Sequence, residues 1–296
     1  MVKSKRDGDC LHRFIFERTD VRGELVHLDA CWQAVLNRHD YPEPVRALLG
    51  QAFAATALLS ATIKISGSLH FQLQGDGPVS LLLVQVGADR TVRGLAHWQT
   101  DAPLPERFDR LVGSARISLT IDPGEGGERY QGIVAVEGAS LAQALEHYFA
   151  TSEQLATRLW LAASEQRASG MLLQQLPRAT DDADAWNRDV HLGETLTAED
   201  LLDLDARELL YRLYHDENVR LFEPEPFSFR CSCSRERIEP VLRGLGYAEV
   251  QSIIAEQGRV QVNCEFCNQE YTFDAVDAEA LFAAADHQPE VPATRH

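Results

Sequence analysis

Cys231-Ser-Cys233, then 30 residues, then Cys264-Glu-Phe-Cys267: this stretch decides how the C-terminal part of the chain folds. Two close pairs of thiols, brought together by folding, make a site of four sulfurs. Soft thiolates select zinc, which imposes no d-electron geometry and accepts a tetrahedron. The second pair has the common knuckle spacing, and the first is one residue tighter than C-x2-C. One reading is a structural metal clip. The other is a set of sulfurs meant to be oxidised.

The flanking residues give the module its shape. Ser234 is placed to cap a helix with an apolar face of Ile238, Val241, Leu242 and Leu245, stopped by Gly244 and Gly246. Val250, Ile253 and Ile254 mark a second short helix ended by Gly258. Val260 and Val262 alternate into the second cysteine pair, and Tyr271 and Phe273 return as the opposing strand. Residues 274–285 read as a terminal helix, and the last ten as unstructured. A module of about 55–60 residues buries too little apolar surface to be secure alone. A structural zinc site contributes about 10–16 kcal/mol to such a fold, against about 5–15 kcal/mol for the stability of a whole domain. Losing the ion should therefore unfold the module. Oxidation to disulfides removes the ligands, so the four thiols are a switch in principle. Cys231/Cys233 and Cys264/Cys267 can each close locally, but the sequence leaves all three pairings open.

Just upstream, residues 178–228 form a connector. Residues 181–225 hold 14 acidic and 4 basic side chains, a net −10 out of −17 for the chain. Thr197-Ala-Glu-Asp200 and Asp205-Ala-Arg-Glu208 look like helix starts. Leu201, Leu202, Leu204, Leu209, Leu210, Leu213 and Tyr214 come near helical spacing. The connector is expected to be an amphipathic helix pair docked on the main domain. Its functional version adds that the docking is reversible.

Residues 1–177 read as that main domain. Strands are expected at 11–16, 69–74, 79–86, 92–96, 117–121, 130–136 and 169–176, with a second element at 21–26. A turn is expected at 123–127, a largely buried helix at 45–60, and helices at 141–150 and 152–161. The fold class is α+β: a large N-terminal domain with antiparallel sheet and packed helices, a helical linker at 178–228, and a small zinc-binding domain at 229–296.

The 296-residue chain has a pI near 5.0, which disfavours nucleic acid as a partner, because phosphate binding needs a basic surface. Residues 1–14 are polar and carry no signal-peptide core, and the longest apolar stretch, near 52–62, is too short to span a bilayer. No membrane is expected, and the location is expected to be cytoplasmic. There, cysteines at ligand spacing serve metals or redox chemistry more often than permanent disulfides. Cys10 and Cys31 have no nearby partner in sequence and read as buried or incidental thiols. The histidines are scattered, the glycine-rich 123–129 segment lacks the lysine of a phosphate loop, and no nucleophile elbow is present, so nothing argues for an enzyme. The alternative is a zinc-ribbon module that binds nucleic acid or protein. The acidic balance and the few basic residues (Arg235, Arg237, Arg243) weigh against it.

Taken together, Cys231-Ser-Cys-Ser-Arg-Glu-Arg237, Cys264-Glu-Phe-Cys-Asn268 and Leu209-Leu-Tyr-Arg-Leu-Tyr-His215 resemble the heat shock protein 33 family of redox-regulated bacterial chaperones. So do Val21-Arg-Gly-Glu-Leu-Val26, Tyr130-Gln-Gly-Ile-Val134 and Ser152-Glu-Gln-Leu155. The resemblance spans nearly the full length. It implies an ATP-independent holdase that binds unfolding proteins. In the reduced, inactive state Cys231, Cys233, Cys264 and Cys267 would hold one Zn2+. Oxidation would join Cys264 to Cys267 and then Cys231 to Cys233, and zinc would leave. The module and connector would lose structure, homodimers would form, and clients would later pass to ATP-dependent chaperones.

Overall fold

Cys10–Phe16 (β1) and Val21–Leu28 (β2) form the first hairpin, with Phe14 directly opposite Gly23. A side chain at that position would displace Phe14: a Cβ on Gly23 would lie 2.1 Å from the Phe14 ring. The computed structural model describes residues 8–62, 67–101, 103–124, 127–177, 182 and 184–283. The expected turn at 123–127 lies partly outside these residues, and the expected unstructured tail lies wholly outside. By their contacts the residues form two compact units, Met1–Arg230 and Cys231–His296.

In the first unit, Ala30–Leu36 (α1) leads to Glu43–Thr62 (α2). Thirteen of the 20 residues of α2 are buried, because the helix packs against strands of two different sheets. That explains its all-round apolar surface. Among the described residues α2 is the one helix long and apolar enough to cross a membrane, and 72% of its most apolar window is buried within the protein. Next come Ser68–Gln74 (β3), Val79–Gly87 (β4), Thr91–Trp98 (β5), Phe108–Val112 (α3), Arg116–Asp122 (β6) and Tyr130–Ala135 (β7). They build an antiparallel sheet in the order β5-β4-β3-β6-β7. Leu141–Tyr148 (α4) starts where expected, its Gln143 amide donating to the Ser140 hydroxyl at 3.2 Å.

The helix expected at 152–161 is not present. A π-turn over Phe149–Glu153 ends at Gln154, whose φ of 55° is left-handed, and Thr157–Ala163 (β8) is a strand paired with Ala168–Gln175 (β9). Alternation in Thr157-Arg-Leu-Trp-Leu, with Leu159 facing α2 and Trp160 the opposite side, overrides the helix-like Ser-Glu-Gln start. β9 also pairs with β2, giving a sheet in the order β1-β2-β9-β8.

The connector forms Ala185–Gly193 (α5), Ala198–Asp203 (α6) and Ala206–Tyr214 (α7). Both expected helix starts are found: Asp200 donates its amide to the Thr197 hydroxyl at 3.1 Å, and Glu208 to the Asp205 carboxylate at 2.9 Å. Beyond α7 the chain turns to strand where a helical linker was expected. Val219–Leu221 (β10) and Glu225–Pro226 (β11) pair with β1, and Ser228–Phe229 (β12) lies parallel to β5. In the second unit, Arg235–Leu245 (α8), Tyr247–Gln257 (α9), the hairpin Val260–Asn263 (β13) with Glu270–Phe273 (β14), and Ala275–Ala283 (α10) come in the expected order. Gly258, at φ 79°, closes α9 by donating to the Ile254 carbonyl. The apolar face of α8 is narrower than expected. Ile238 and Leu242 are buried, but Val241 and Leu245 are 62% and 52% exposed, because the small core covers only one stripe of the helix.

Candidate metal centre

The hairpin turn after β13 positions the second cysteine pair. Cys264 donates its amide to the Gln269 carbonyl at 2.9 Å, and its own carbonyl accepts from Asn268 at 2.7 Å. Asn268 takes the left-handed conformation (φ 56°), which asparagine tolerates better than most side chains. The first pair lies in the extended segment that enters α8. Arg235 ties that segment down: it donates to the Thr272 carbonyl at 2.7 Å, pairs with Asp277 at 2.6 Å and lies over the Phe273 ring at 4.1 Å. Arg237 reaches back to the Ser232 hydroxyl at 2.6 Å.

These contacts bring all four predicted cysteines together, with every Sγ within 4.8 Å of the others. The Cys231–Cys264 and Cys233–Cys267 sulfurs, which cross between the two pairs, are 3.6 and 3.4 Å apart. A disulfide needs about 2.05 Å, and all four thiols are free. Zn–S bonds of about 2.3 Å put tetrahedral sulfurs about 3.8 Å apart. The four donors therefore fit a metal ion of that size. Burial pushes the Cys264 and Cys267 thiols up, a trend that a bound cation reverses. Spacing alone did not reveal Tyr271, whose hydroxyl donates to the Cys233 sulfur at 3.2 Å. Its place four residues after Cys267, on the returning strand, was the available signal. Cys10 and Cys31 are buried in the first unit, with Cys10 Sγ 3.5 Å from His12 Nε2.

Support for the centre is thin. Among the described residues, the module's buried apolar core is Ile238, Leu242, Val250, Val260, Phe273, Ala278 and Leu281.

Within the first unit, the connector covers an apolar sheet face. Phe14, Phe16, Val21, Leu25, Met171 and Leu173 are buried beneath Leu201, Leu209, Leu210, Leu213 and Tyr214. Polar ties are also present: His27 Nε2 lies 3.3 Å from the Leu201 carbonyl, and the buried Arg167, paired with Asp29, donates to the Leu202 carbonyl at 2.9 Å. On α5, Asp189 is fully buried. It accepts from the Thr19 hydroxyl at 3.4 Å, while its other oxygen has no hydrogen-bond partner. Burial, reinforced by nearby Glu217, pushes its carboxyl up to about 7.

Residues 9–274 match the protein family described as Hsp33 protein. The 33 kDa chaperonin of Nitrosococcus oceani is 54% identical over 97% of this chain and 99% of its own. That of Methylobacillus flagellatus is 48% identical over 93% and 94%. A crystal structure of the 33 kDa chaperonin (heat shock protein 33 homolog) of Thermotoga maritima shares the fold, with a TM-score of 0.82 at 22% identity, covering 95% of this chain and 100% of that one. Sulfur geometry, fold and relatives agree: the chain belongs to the Hsp33 family.

Proposed function

We propose that the chain is a redox-regulated, ATP-independent holdase that binds unfolding proteins and keeps them from aggregating. The observation that carries the reading is the convergence of four sulfurs in a module with seven buried apolar residues among those described. Cys231, Cys233, Cys264 and Cys267 hold Zn2+ in the reduced state. The ion, when bound, keeps the thiols deprotonated, hence reactive, and ties α8 to the β13–β14 turn. Oxidant removes two electrons from each pair, Cys264 with Cys267 and Cys231 with Cys233, as the resemblance to the family implies. Each proposed pair is close in sequence and closes locally once the module loosens. A sulfur in a disulfide is no longer a thiolate ligand, and this core is too small to stay folded by itself.

The connector responds in turn. Its −10 of charge disfavours compactness, and it stays docked because the sheet face beneath it is apolar. Undocking uncovers Phe14, Phe16, Leu25 and Met171 for clients. Homodimers form on oxidation, and clients pass to ATP-dependent chaperones after reduction. The protein works in the cytoplasm, where the thiols start reduced. The test measures bound zinc, free thiols and suppression of client aggregation on the same samples, before and after peroxide with mild heat. Zinc loss, thiol loss and holding activity should rise together. Holding activity that ignored thiol state, or a variant with all four cysteines changed to serine that stayed oxidant-responsive, would overturn the reading.

A further inference from the structure

Tyr271 on β14 has two contacts of different kinds. Its ring packs, half-buried, against the core of the module, and its hydroxyl donates to the Cys233 sulfur at 3.2 Å. A tyrosine hydroxyl keeps its proton at neutral pH, so Tyr271 is a donor there. Other donors to the sulfurs are backbone amides: Phe266 and Cys267 toward Cys264, and Gln269 toward Cys267. Those are fixed by the turn. Tyr271 contributes through a side chain, which can change without altering the turn.

A hydrogen bond into a thiolate lone pair stabilises the anion and withdraws electron density, and nucleophilicity falls with it. We propose that Tyr271 is a positioning residue of the redox switch, whose hydroxyl restrains the Cys233 sulfur, slows its oxidation and favours its retention as a metal ligand. This rests on the redox reading above and adds a residue to it. With a hydroperoxide as oxidant, the Cys233 thiolate attacks the O–O bond, takes one oxygen as sulfenic acid and expels hydroxide. A second thiolate then attacks that sulfur, forms the S–S bond and expels another hydroxide. Two electrons leave the sulfurs and the peroxide accepts both. Tyr271 acts on the first of these steps. Because its ring lies in the core, it also links the state of this sulfur to the packing of β14.

The experiment uses the full chain, reduced and zinc-loaded, as wild type and Tyr271→Phe. Hydrogen peroxide is added, and the thiol state of each cysteine is followed by alkylation and peptide mass mapping. Release of zinc to a chelator without oxidant is followed in parallel. In Tyr271→Phe, Cys233 should be consumed roughly tenfold faster, the worth of one hydrogen bond to a charged acceptor. Zinc should be released sooner, and the initial rates of Cys264 and Cys267 should stay at wild type. Equal acceleration at all four sulfurs would mean that the tyrosine only supports the fold, and an unchanged Cys233 would mean that the contact has no role; either overturns the proposal. Should Tyr271→Phe fail to hold zinc, 3-fluorotyrosine at position 271 keeps the shape and donates more strongly, so Cys233 must then react more slowly than wild type. These thiol kinetics do not involve client binding, so their failure is distinct from failure of the holdase reading.

Discussion

Leu209→Ala tests whether the connector is the cover of the client-binding face. Leu209 is fully buried on α7, in the cluster that contains Phe14, Leu25, Met171 and Leu173. Truncating a leucine in such a site costs about 3 kcal/mol, the lost transfer energy plus the cavity left behind. That lowers the ratio of docked to undocked connector by roughly 150-fold, at 1.4 kcal/mol per factor of ten. The four sulfurs lie in the other unit and are untouched. The reduced, zinc-loaded variant should therefore suppress aggregation of a heat-unfolded client before any oxidant is added, as read by light scattering. Amide exchange across residues 198–214 should rise in parallel. Leu58→Ala is the control. Leu58 is equally buried, but on α2, in the separate cluster on the other side of the sheet. It should lower Tm by a similar energy without holding clients under reducing conditions. If Leu209→Ala frees the connector by exchange and still holds no more client than wild type, the face beneath the connector is not the capturing surface.

Chelating the metal at neutral pH should unfold residues 231–283 while the sheets of the first unit persist; amide exchange resolves the two, and equal protection with and without metal would contradict the small-core argument. Gly23→Ala should cost about 1–3 kcal/mol and lower Tm, because its methyl would overlap the Phe14 ring, which must then leave its rotamer. Asp189 gives a pH dependence. Its carboxyl is pushed up to about 7 from an ordinary value of 3.8, so the docked state binds the proton more tightly than the undocked chain. Its contribution is therefore fully present below about pH 4 and is lost as pH rises to 7 and beyond. Asp189→Asn should protect α5 more than wild type does at pH 8, with the difference shrinking toward pH 4, read by amide exchange at matched intrinsic rates.

β3 and β6 were legible because each buries alternate side chains, and alternation reports that directly. The starts of α6 and α7 were legible because Thr197 and Asp205 each satisfy an amide that the helix leaves open. The four sulfurs were legible from spacing. Four features were not. β8 begins with residues that favour a helix, and only pairing with β9 makes Thr157–Ala163 extended. β10, β11 and β12 have two or three residues each, too few to show any period. Val241 and Leu245 continue the apolar stripe of α8, but among the described residues they stay largely exposed. The Tyr271 contact joins residues 38 positions apart, and only the tyrosine's place four residues after Cys267 pointed to it.

β10 and β11 lie along β1 and β12 lies along β5, so the end of the connector borders both sheets of the first unit. Peeling it away would do more than bare a greasy surface. It would leave two rows of backbone amides and carbonyls, on β1 and on β5, without their strand neighbours. Open rows of this kind template the addition of any extended chain, whatever its side chains. A captured client could then be gripped through its peptide groups as well as its apolar residues, which suits a chaperone that must accept many unrelated sequences.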